Sequence, residues 1–135
     1  MRVVIYTILS LLSLNAFSKE IISLTALISS PKTFHGKCLR VAGVLSVEFE
    51  GGRLYLDRES YTLKIHENAV RQPIMLDDEH QKLSEQLEGK WVRFTGRFNF
   101  ETGALSPNGE FITFNNVEVI GQSDLVKFGE SGECL

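Results

Sequence analysis

The chain has 135 residues, of which 43% are hydrophobic and 23% charged, and its formal net charge is −3. A chain of this length holds one domain with a core of modest size, and its composition excludes low-complexity and fibrous classes. An acidic balance repels phosphate backbones, so the charge argues against non-specific binding to nucleic acid.

Residues 1–18 have the layout of a secretory signal peptide. Arg2 precedes an apolar run over residues 3–14, and the small residues Ala16 and Ser18 stand where a cleavage site requires them. The apolar run is short for a membrane-spanning helix, although an uncleaved anchor is the alternative. The sequence therefore predicts cleavage after Ser18.

The mature chain is predicted to form a single domain over residues 19–135. Removal of the signal peptide leaves 13 basic and 17 acidic residues, and hence a net charge of −4. We expect this domain in the periplasm or outside the cell, as a monomer, with no membrane attachment after cleavage.

A short amphipathic helix is predicted over residues 21–30. Its apolar positions fall mainly on one helical face, Ser23 suits the N-cap, and Pro31 ends the helix. The apolar face of such a helix would cover one open end of a core.

Two long strands are predicted from nearly identical sequences. Residues 35–45 read HGKCLRVAGVL, and residues 88–98 read EGKWVRFTGRF. Apolar residues alternate along both copies, which predicts strands. Each copy has a central glycine, Gly43 or Gly96, where a strand can bend at a barrel corner. In the first strand the inward set is predicted to extend as far as Phe49.

The remaining predicted elements are shorter. They are, in chain order, a strand over residues 53–57, a strand over 73–77, a helix of about ten residues that ends at Gly89, and a strand over 111–121 interrupted near Asn115 and Asn116. Either Asp77 or Asp78 suits the N-cap of the helix.

The predicted order is strand, strand, strand, helix, strand, strand, which is the order of the OB-fold. We therefore predict a mainly β protein, a five-stranded OB-fold-like Greek-key barrel with a helix between strands 3 and 4 and a short N-terminal helix. The first and fourth strands must both curl strongly to close so small a barrel. This shared mechanical demand explains the repeated sequence without a repeated function.

Residues 35–61, HGKCLRVAGVLSVEFEGGRLYLDRESY, resemble the first half of a group of small exported bacterial OB-fold proteins of unknown function. In that group a Gly-Lys-x-x-Arg-x-x-Gly strand leads into a hairpin of this kind. Residues 87–98, LEGKWVRFTGRF, are similar to the second half of the same group. The resemblance implies the fold and export, and it brings no catalytic residues.

Outward-facing aromatic and basic residues form the candidate binding site. OB-folds bind single strands by stacking bases on aromatic rings beside cations. The candidate binding residues are Arg40, Tyr55, Trp91, Arg93 and Arg97. The alternative for Trp91 is that its side chain packs under the N-terminal helix or the C-terminal segment.

Motifs for catalysis or phosphate binding are absent from the sequence. It contains no Gly-x-Ser-x-Gly, His-Glu-x-x-His, phosphate-binding glycine loop or Cys-x-x-Cys. The acidic run before His80, residues 77–79, could join it in holding a metal, but the helix dipole favours an acidic helix start instead. We therefore expect no catalytic residues, no cofactor and no metal site.

The expected function is a non-enzymatic, exported binding module that recognises a protein partner, of which an inhibitor- or immunity-like role is one form. The alternative is an OB-fold module for an oligosaccharide or single-stranded nucleic acid, although negative charge and export argue against nucleic acid. A weaker alternative is an enzyme whose site follows no known motif.

The two cysteines, Cys38 and Cys134, are predicted to form a disulfide. Export places them in a compartment where disulfides persist, and a pair of cysteines can form one bond with no thiol left unpaired. The bond would hold the polar, glycine-rich C-terminal segment against the start of the first long strand. Free thiols and a bond between two molecules are the alternatives.

Overall fold

Strands dominate the protein. The computed structural model describes residues 20–49, 51–74, 81–101, 107–121, 125–126 and 134. The strands are β1 (Glu20–Ile21), β2 (Cys38–Ser46), β3 (Gly52–Tyr55), β4 (Ala69–Gln72), β5 (Trp91–Asn99), β6 (Glu110–Phe111), β7 (Asn116–Val119) and β8 (Leu125–Val126). The helices are α1 (Leu24–Ser29), α2 (Arg58–Leu63) and α3 (Gln81–Leu87), with 3₁₀ turns at Pro31–Phe34 and His66–Asn68. The predicted signal peptide and the predicted start of the helix before Gly89 lie outside the described residues.

Five strands close into a barrel. β2 pairs antiparallel with β3 on one side and with β5 on the other, and β3 pairs antiparallel with β4. β6 pairs antiparallel with β5 and parallel with β4, which closes the ring. β6 and β7 together form the fifth strand of the barrel, interrupted between Phe111 and Asn116. The predicted OB-fold-like barrel and the break in its last strand are confirmed.

The two copies of the repeated sequence pair with each other in the barrel. Across β2 and β5 the register sets Gly43 opposite Val92 and Leu39 opposite Gly96. Each central glycine therefore faces the same position of the other copy. The two long strands are related by a local twofold symmetry, which the repeat encodes.

The Gly-Lys turn of each copy obeys the same symmetry. The Gly36 amide donates to the Phe98 carbonyl and the Gly89 amide donates to the Leu45 carbonyl, both at 2.8 Å. The Phe98 and Leu45 amides donate to the carbonyl of the lysine after each glycine, both at 2.9 Å. Both glycines have a positive φ, 76° and 70°, which a residue with a side chain rarely adopts. Each turn thereby anchors the far end of the other strand.

The core fills the barrel and extends under α1. Inward residues of β2 and β5 pack with the apolar residues of the shorter strands and with Leu24 and Leu27 of α1. The helix begins as predicted, since the Ser23 hydroxyl accepts a hydrogen bond from the Ala26 amide at 3.1 Å. Among the described residues, no helix is long and apolar enough to cross a membrane.

Two predicted strands differ from the observed ones. The second strand ends at Tyr55 because Asp57 caps α2, with its carboxylate accepting from the Ser60 amide at 2.7 Å. The third strand is Ala69–Gln72 and not a strand that begins at Pro73, while residues 75–77 of the predicted range lie outside the described residues. Pro73 has no amide hydrogen and cannot continue the ladder, so the pairing ends at Gln72.

The predicted alternation of β2 fails at its C-terminal end. Val44 lies on the outward side yet is fully buried, because it packs with Tyr55, Ala69 and the ring of Tyr61 from α2. Phe49 was predicted to point inward, but its side chain is 80% exposed, since β2 ends at Ser46 and regular alternation stops there.

The disulfide prediction is confirmed. Cys38 at the start of β2 is bonded to Cys134, with 5.5 Å between the two Cα atoms, and Cys134 is buried. The bond fixes a point close to the C-terminus beside the first Gly-Lys turn.

Candidate functional site

The arginines of the two repeat copies reach the same carboxylate on the outer surface of the barrel. Arg40 lies on β2, Arg93 lies on β5, and Glu118 of β7 is directly opposite Arg93. Arg40 donates to Oε2 of Glu118 and Arg93 donates to Oε1, both at 3.1 Å. One carboxylate therefore links three neighbouring strands.

This cluster carries two positive charges against one negative charge. The side chains of Arg40 and Arg93 are 32% and 44% exposed, so both guanidinium groups reach solvent. Each guanidinium has five N–H donors, and the bond to Glu118 occupies only part of that capacity. The cluster can therefore accept a further anionic group from outside the molecule.

Exposed apolar residues adjoin the arginines. Trp91 is 37% exposed and Ile120 is 39% exposed, and the Ile120 amide donates to the Trp91 carbonyl at 2.9 Å. Ala42 is also exposed and lies opposite Arg93. We call this outer surface the central face; it consists of Arg40, Ala42, Trp91, Arg93, Glu118 and Ile120.

A groove of about 300 Å³ borders the central face. Ile21 and Ile22 line one side, while Arg40, Ala42 and Arg93 line the other. The short strand β1 forms the first side, since Ile21 is paired with Arg40 and the Ile22 amide donates to the Arg40 carbonyl at 3.1 Å. The groove thus has an apolar side and a side that carries two guanidinium groups.

Tyr55 does not belong to this surface. It was expected among the outward aromatic residues, but it is fully buried because α2 folds back over the outer side of β3. The ring of Tyr61 contacts the Tyr55 ring edge-on, with 5.8 Å between centroids. Burial raises the pKa of Tyr55, and the negative charge of Glu48 raises it further.

Arg97 lies on β5, at the opposite end of the strand from Trp91, and binds the first Gly-Lys turn. Its guanidinium donates to the Gly36 carbonyl. Six residues of extended strand, about 20 Å, separate it from Trp91. The structure therefore brings together three of the five predicted binding residues, namely Arg40, Trp91 and Arg93.

A second, smaller cleft lies on the outer side of the β3–β4 hairpin. Arg53 and Arg71 are opposite each other in the sheet and line this cleft of about 180 Å³ together with His66 and Asn108. Arg53 is paired with Glu48 at 3.1 Å. The Asn108 amide group donates to two carbonyls of the segment before and at the start of β4, at 2.7 and 2.9 Å, and thereby fixes the wall of the cleft. OB-folds bind their ligands on the corresponding strands 2 and 3.

Metal-binding side chains are dispersed in the described part of the chain. No group of three or more His, Cys, Asp or Glu residues there could hold a metal ion. His35 has a structural contact instead, since its Nδ1 accepts the Phe100 amide at 2.9 Å. The acidic run and His80 considered as metal ligands lie outside the described residues.

Sequence reasoning missed Glu118, Ile120 and Ile21 as members of the site and its groove. Glu118 is the single acidic residue of the predicted last strand, and its alternation with Val117 and Val119 already indicates an outward side chain. That signal could have marked it as a surface residue. Its two arginine partners depend on strand register, which the sequence does not specify.

The chain matches no protein-family model, and it shows no significant similarity to a curated protein or to a solved structure. The resemblance to exported OB-fold proteins stays a prediction.

Proposed function

We propose that this protein is a non-enzymatic, exported binding module that recognises a protein partner through the central face. The observation that carries the proposal is the exposed combination of Trp91, Ile120 and two arginines that share one carboxylate. The protein acts as a monomer in the periplasm or the medium, and inhibition of the partner is one form that such binding takes.

Trp91 and Arg93 are of the residue types that contribute most to protein–protein binding energy. Tryptophan and arginine are enriched among residues whose truncation weakens protein interfaces, and they act best when surrounded by groups that exclude water. Here Ala42 and Ile120 are neighbours that supply apolar surface. Trp91, Arg93 and Ala42 project from paired strands of a closed barrel, and Ile120 follows directly after β7, so little backbone entropy is lost on binding.

Export is supported by two features of the chain. The layout of residues 1–18 is that of a signal peptide, and the predicted cleavage before Lys19 leaves β1 intact. The Cys38–Cys134 disulfide is typical of oxidising compartments. Export also keeps an acidic protein away from cytoplasmic nucleic acid, which favours a protein partner.

Affinity capture from an envelope extract tests the proposal. The bait is the wild-type protein, an Arg93→Glu variant or a Leu63→Ser variant; Leu63 is 62% exposed on α2 and is not one of the central-face residues. We expect wild type and Leu63→Ser to retain one protein that Arg93→Glu loses. Equal retention by all three baits, or retention that glycosidase or nuclease abolishes, would contradict a protein partner at this face.

The cleft on the β3–β4 hairpin supports a second candidate function, the binding of an oligosaccharide or single-stranded nucleic acid. Its two arginines lie on the barrel strands that OB-folds use for such ligands. Titration with oligothymidylate at low salt and with neutral oligosaccharides tests this alternative. Saturable binding lost in Arg71→Gln and retained in Arg93→Gln would establish it over the first proposal.

A further inference from the structure

The groove beside the central face joins two kinds of surface that one ligand could contact together. Ile21 and Ile22 supply aliphatic surface on one side, and Ile21 is 76% exposed. Arg40 and Arg93 stand on the opposite side. A volume of about 300 Å³ accommodates one large side chain together with a short piece of backbone.

The electrostatics of the groove favour a carboxylate. Guanidinium groups bind carboxylates through paired, charge-assisted hydrogen bonds that match both oxygens. Glu118 already shows this chemistry, since Arg40 and Arg93 each bind one of its oxygens at 3.1 Å. Among the described residues, Glu118 is the one carboxylate that Arg40 and Arg93 bind, so the cluster has one positive charge in excess. A second carboxylate can therefore bind the exposed donors, in competition with Glu118.

The overall charge of the protein restricts the partner further. The mature chain carries a net charge of −4, so an extended polyanion is repelled at long range. A single carboxylate on an otherwise apolar segment avoids most of that repulsion. The groove is thus suited to one acid beside one aliphatic group and not to a run of phosphates.

We propose that the groove binds a segment of the partner in which an aliphatic side chain lies next to a carboxylate. The aliphatic group packs on Ile21 and Ile22, and the carboxylate binds the guanidinium groups of Arg40 and Arg93. This inference rests on the proposed function, since it specifies which chemistry of a protein partner the central face selects. The carboxylate belongs either to a chain terminus or to an aspartate or glutamate side chain.

NMR titration of the ¹⁵N-labelled protein with small probes tests the inference. N-acetyl-leucine presents a terminal carboxylate, the C-terminal α-amide of N-acetyl-leucyl-aspartic acid presents only a side-chain carboxylate, and N-acetyl-leucinamide presents none. We expect at least one acid to shift the amide signals of Ile21, Ile22 and Ala42 saturably, and the neutral amide to do so at least about tenfold more weakly. The stronger of the two acids identifies the source of the carboxylate.

Two variants with opposite expected effects make the test independent of folding defects. Arg93→Gln should weaken binding of the acid by about tenfold, because one charged donor is lost. Glu118→Gln should strengthen binding, because it removes the competing carboxylate and leaves both arginines without it. A folding defect cannot raise affinity. Lys82→Gln, which removes one charge from the exposed surface of α3, is the matched control and should change nothing.

Three results would overturn the inference: equal binding of the acids and the neutral amide, weaker binding by Glu118→Gln, or the absence of saturable shifts at the groove. These outcomes are separable from failure of the proposed function. If capture of a protein depends on Arg93 while the acids do not bind, the inference fails and the function stands. If the acids bind but no protein is captured, the proposed function fails instead.

Discussion

The central glycines of the two repeat copies are required by close backbone contacts. A Cβ atom on Gly96 would lie 2.0 Å from the carbonyl oxygen of Thr113, a distance that forces the backbone to move. A Cβ atom on Gly43 would lie 2.9 Å from the Tyr55 carbonyl oxygen and 3.3 Å from a methyl group of Leu24. The two positions match in the repeat but differ in how much room their neighbours leave.

Substitution of each glycine by alanine should therefore give unequal losses of stability. We expect Gly96→Ala to lower the free energy of unfolding by about 3 kcal/mol, in the range of overpacked sites. Gly43→Ala should cost about 1–2 kcal/mol, because the Leu24 side chain can shift but the Tyr55 carbonyl oxygen must also move slightly. Urea unfolding of both variants measures the difference, and a Gly43→Ala loss equal to or larger than that of Gly96→Ala would contradict this account.

The buried hydroxyl of Tyr55 lies beside the Arg53 guanidinium but makes no hydrogen bond of good geometry to the described residues. Because a buried, unpaired polar group is unfavourable, Tyr55→Phe should raise the free energy of unfolding by about 1 kcal/mol at neutral pH. The raised pKa adds a pH dependence. Because the folded state disfavours ionised Tyr55, the free energy of unfolding is unaffected by this group below the ordinary tyrosine pKa of 10.0 and falls as the pH rises above it. Tyr55→Phe removes that fall.

Tyr61 provides the matched control for Tyr55. Its hydroxyl donates to Glu88 at 2.9 Å, so Tyr61→Phe should lower stability slightly where Tyr55→Phe raises it. Urea unfolding at pH 7 and at about pH 10.5 compares the variants. A loss of stability in Tyr55→Phe at pH 7 would show that its hydroxyl has a favourable partner in solution.

At the scale of elements, the repeated sequence encodes a pair of strands and not two separate units. β2 and β5 pair over most of their length, and each Gly-Lys turn holds the end of the opposite strand. The symmetry breaks at the neighbouring strands. Arg40 has Ile21 of β1 beside it, whereas Arg93 has Glu118 of β7. That difference creates one groove with an apolar side and a charged side.

The three-strand contact through Glu118 should be measurable as an interaction energy. Glu118→Arg sets three guanidinium groups together and should lower the free energy of unfolding by about 1 kcal/mol, a modest value because these side chains are partly exposed. The double variant Arg93→Glu with Glu118→Arg should recover part of that loss. A double-mutant cycle with additive effects would show that the contact contributes nothing.

Alternation along the chain predicts β2 and β5, because their inner residues fill the core and their outer residues reach solvent. The pattern misleads wherever another element covers the outer face. Val44 is buried on the outer face of the barrel because α2 covers it. β4 was missed because its two apolar residues are adjacent in the sequence and show no period of two. Such coverage is decided by tertiary packing, which a local pattern does not contain.

At the scale of the molecule, the fold could be predicted from the order of its elements. The site could not, because it consists of residues that different strands bring together. Five strands and one intervening helix specify the barrel type. Arg40 and Arg93 are separated by 53 positions, and their common carboxylate lies on a third strand, so only the closed barrel brings the three together. Trp91 was predictable as an outward residue, but its neighbour Ile120 depended on the register of the last strand.

The disulfide should contribute to the stability of the whole molecule. It joins residues 96 positions apart, for which loop closure in the unfolded chain sets an upper guide of about 4–5 kcal/mol, and the typical contribution is about 2–4 kcal/mol. We expect Cys134→Ser to lower the free energy of unfolding by that amount. Alkylation of the exported protein should give no label before reduction, two labels after it, and a monomeric mass throughout. Two labels without reduction would contradict an intramolecular bond in the native protein.

The central claim is that the face built by the paired repeats contacts a protein partner, and site-specific photo-crosslinking tests it most directly. A photoreactive phenylalanine analogue replaces Ile120 on the central face or, as the control, Leu63 on α2, and cells that export the protein are irradiated. We predict one discrete protein adduct from position 120 that disappears in the Arg93→Glu background, and none from position 63. An adduct from position 63 alone, or no protein adduct from position 120, would contradict the claim.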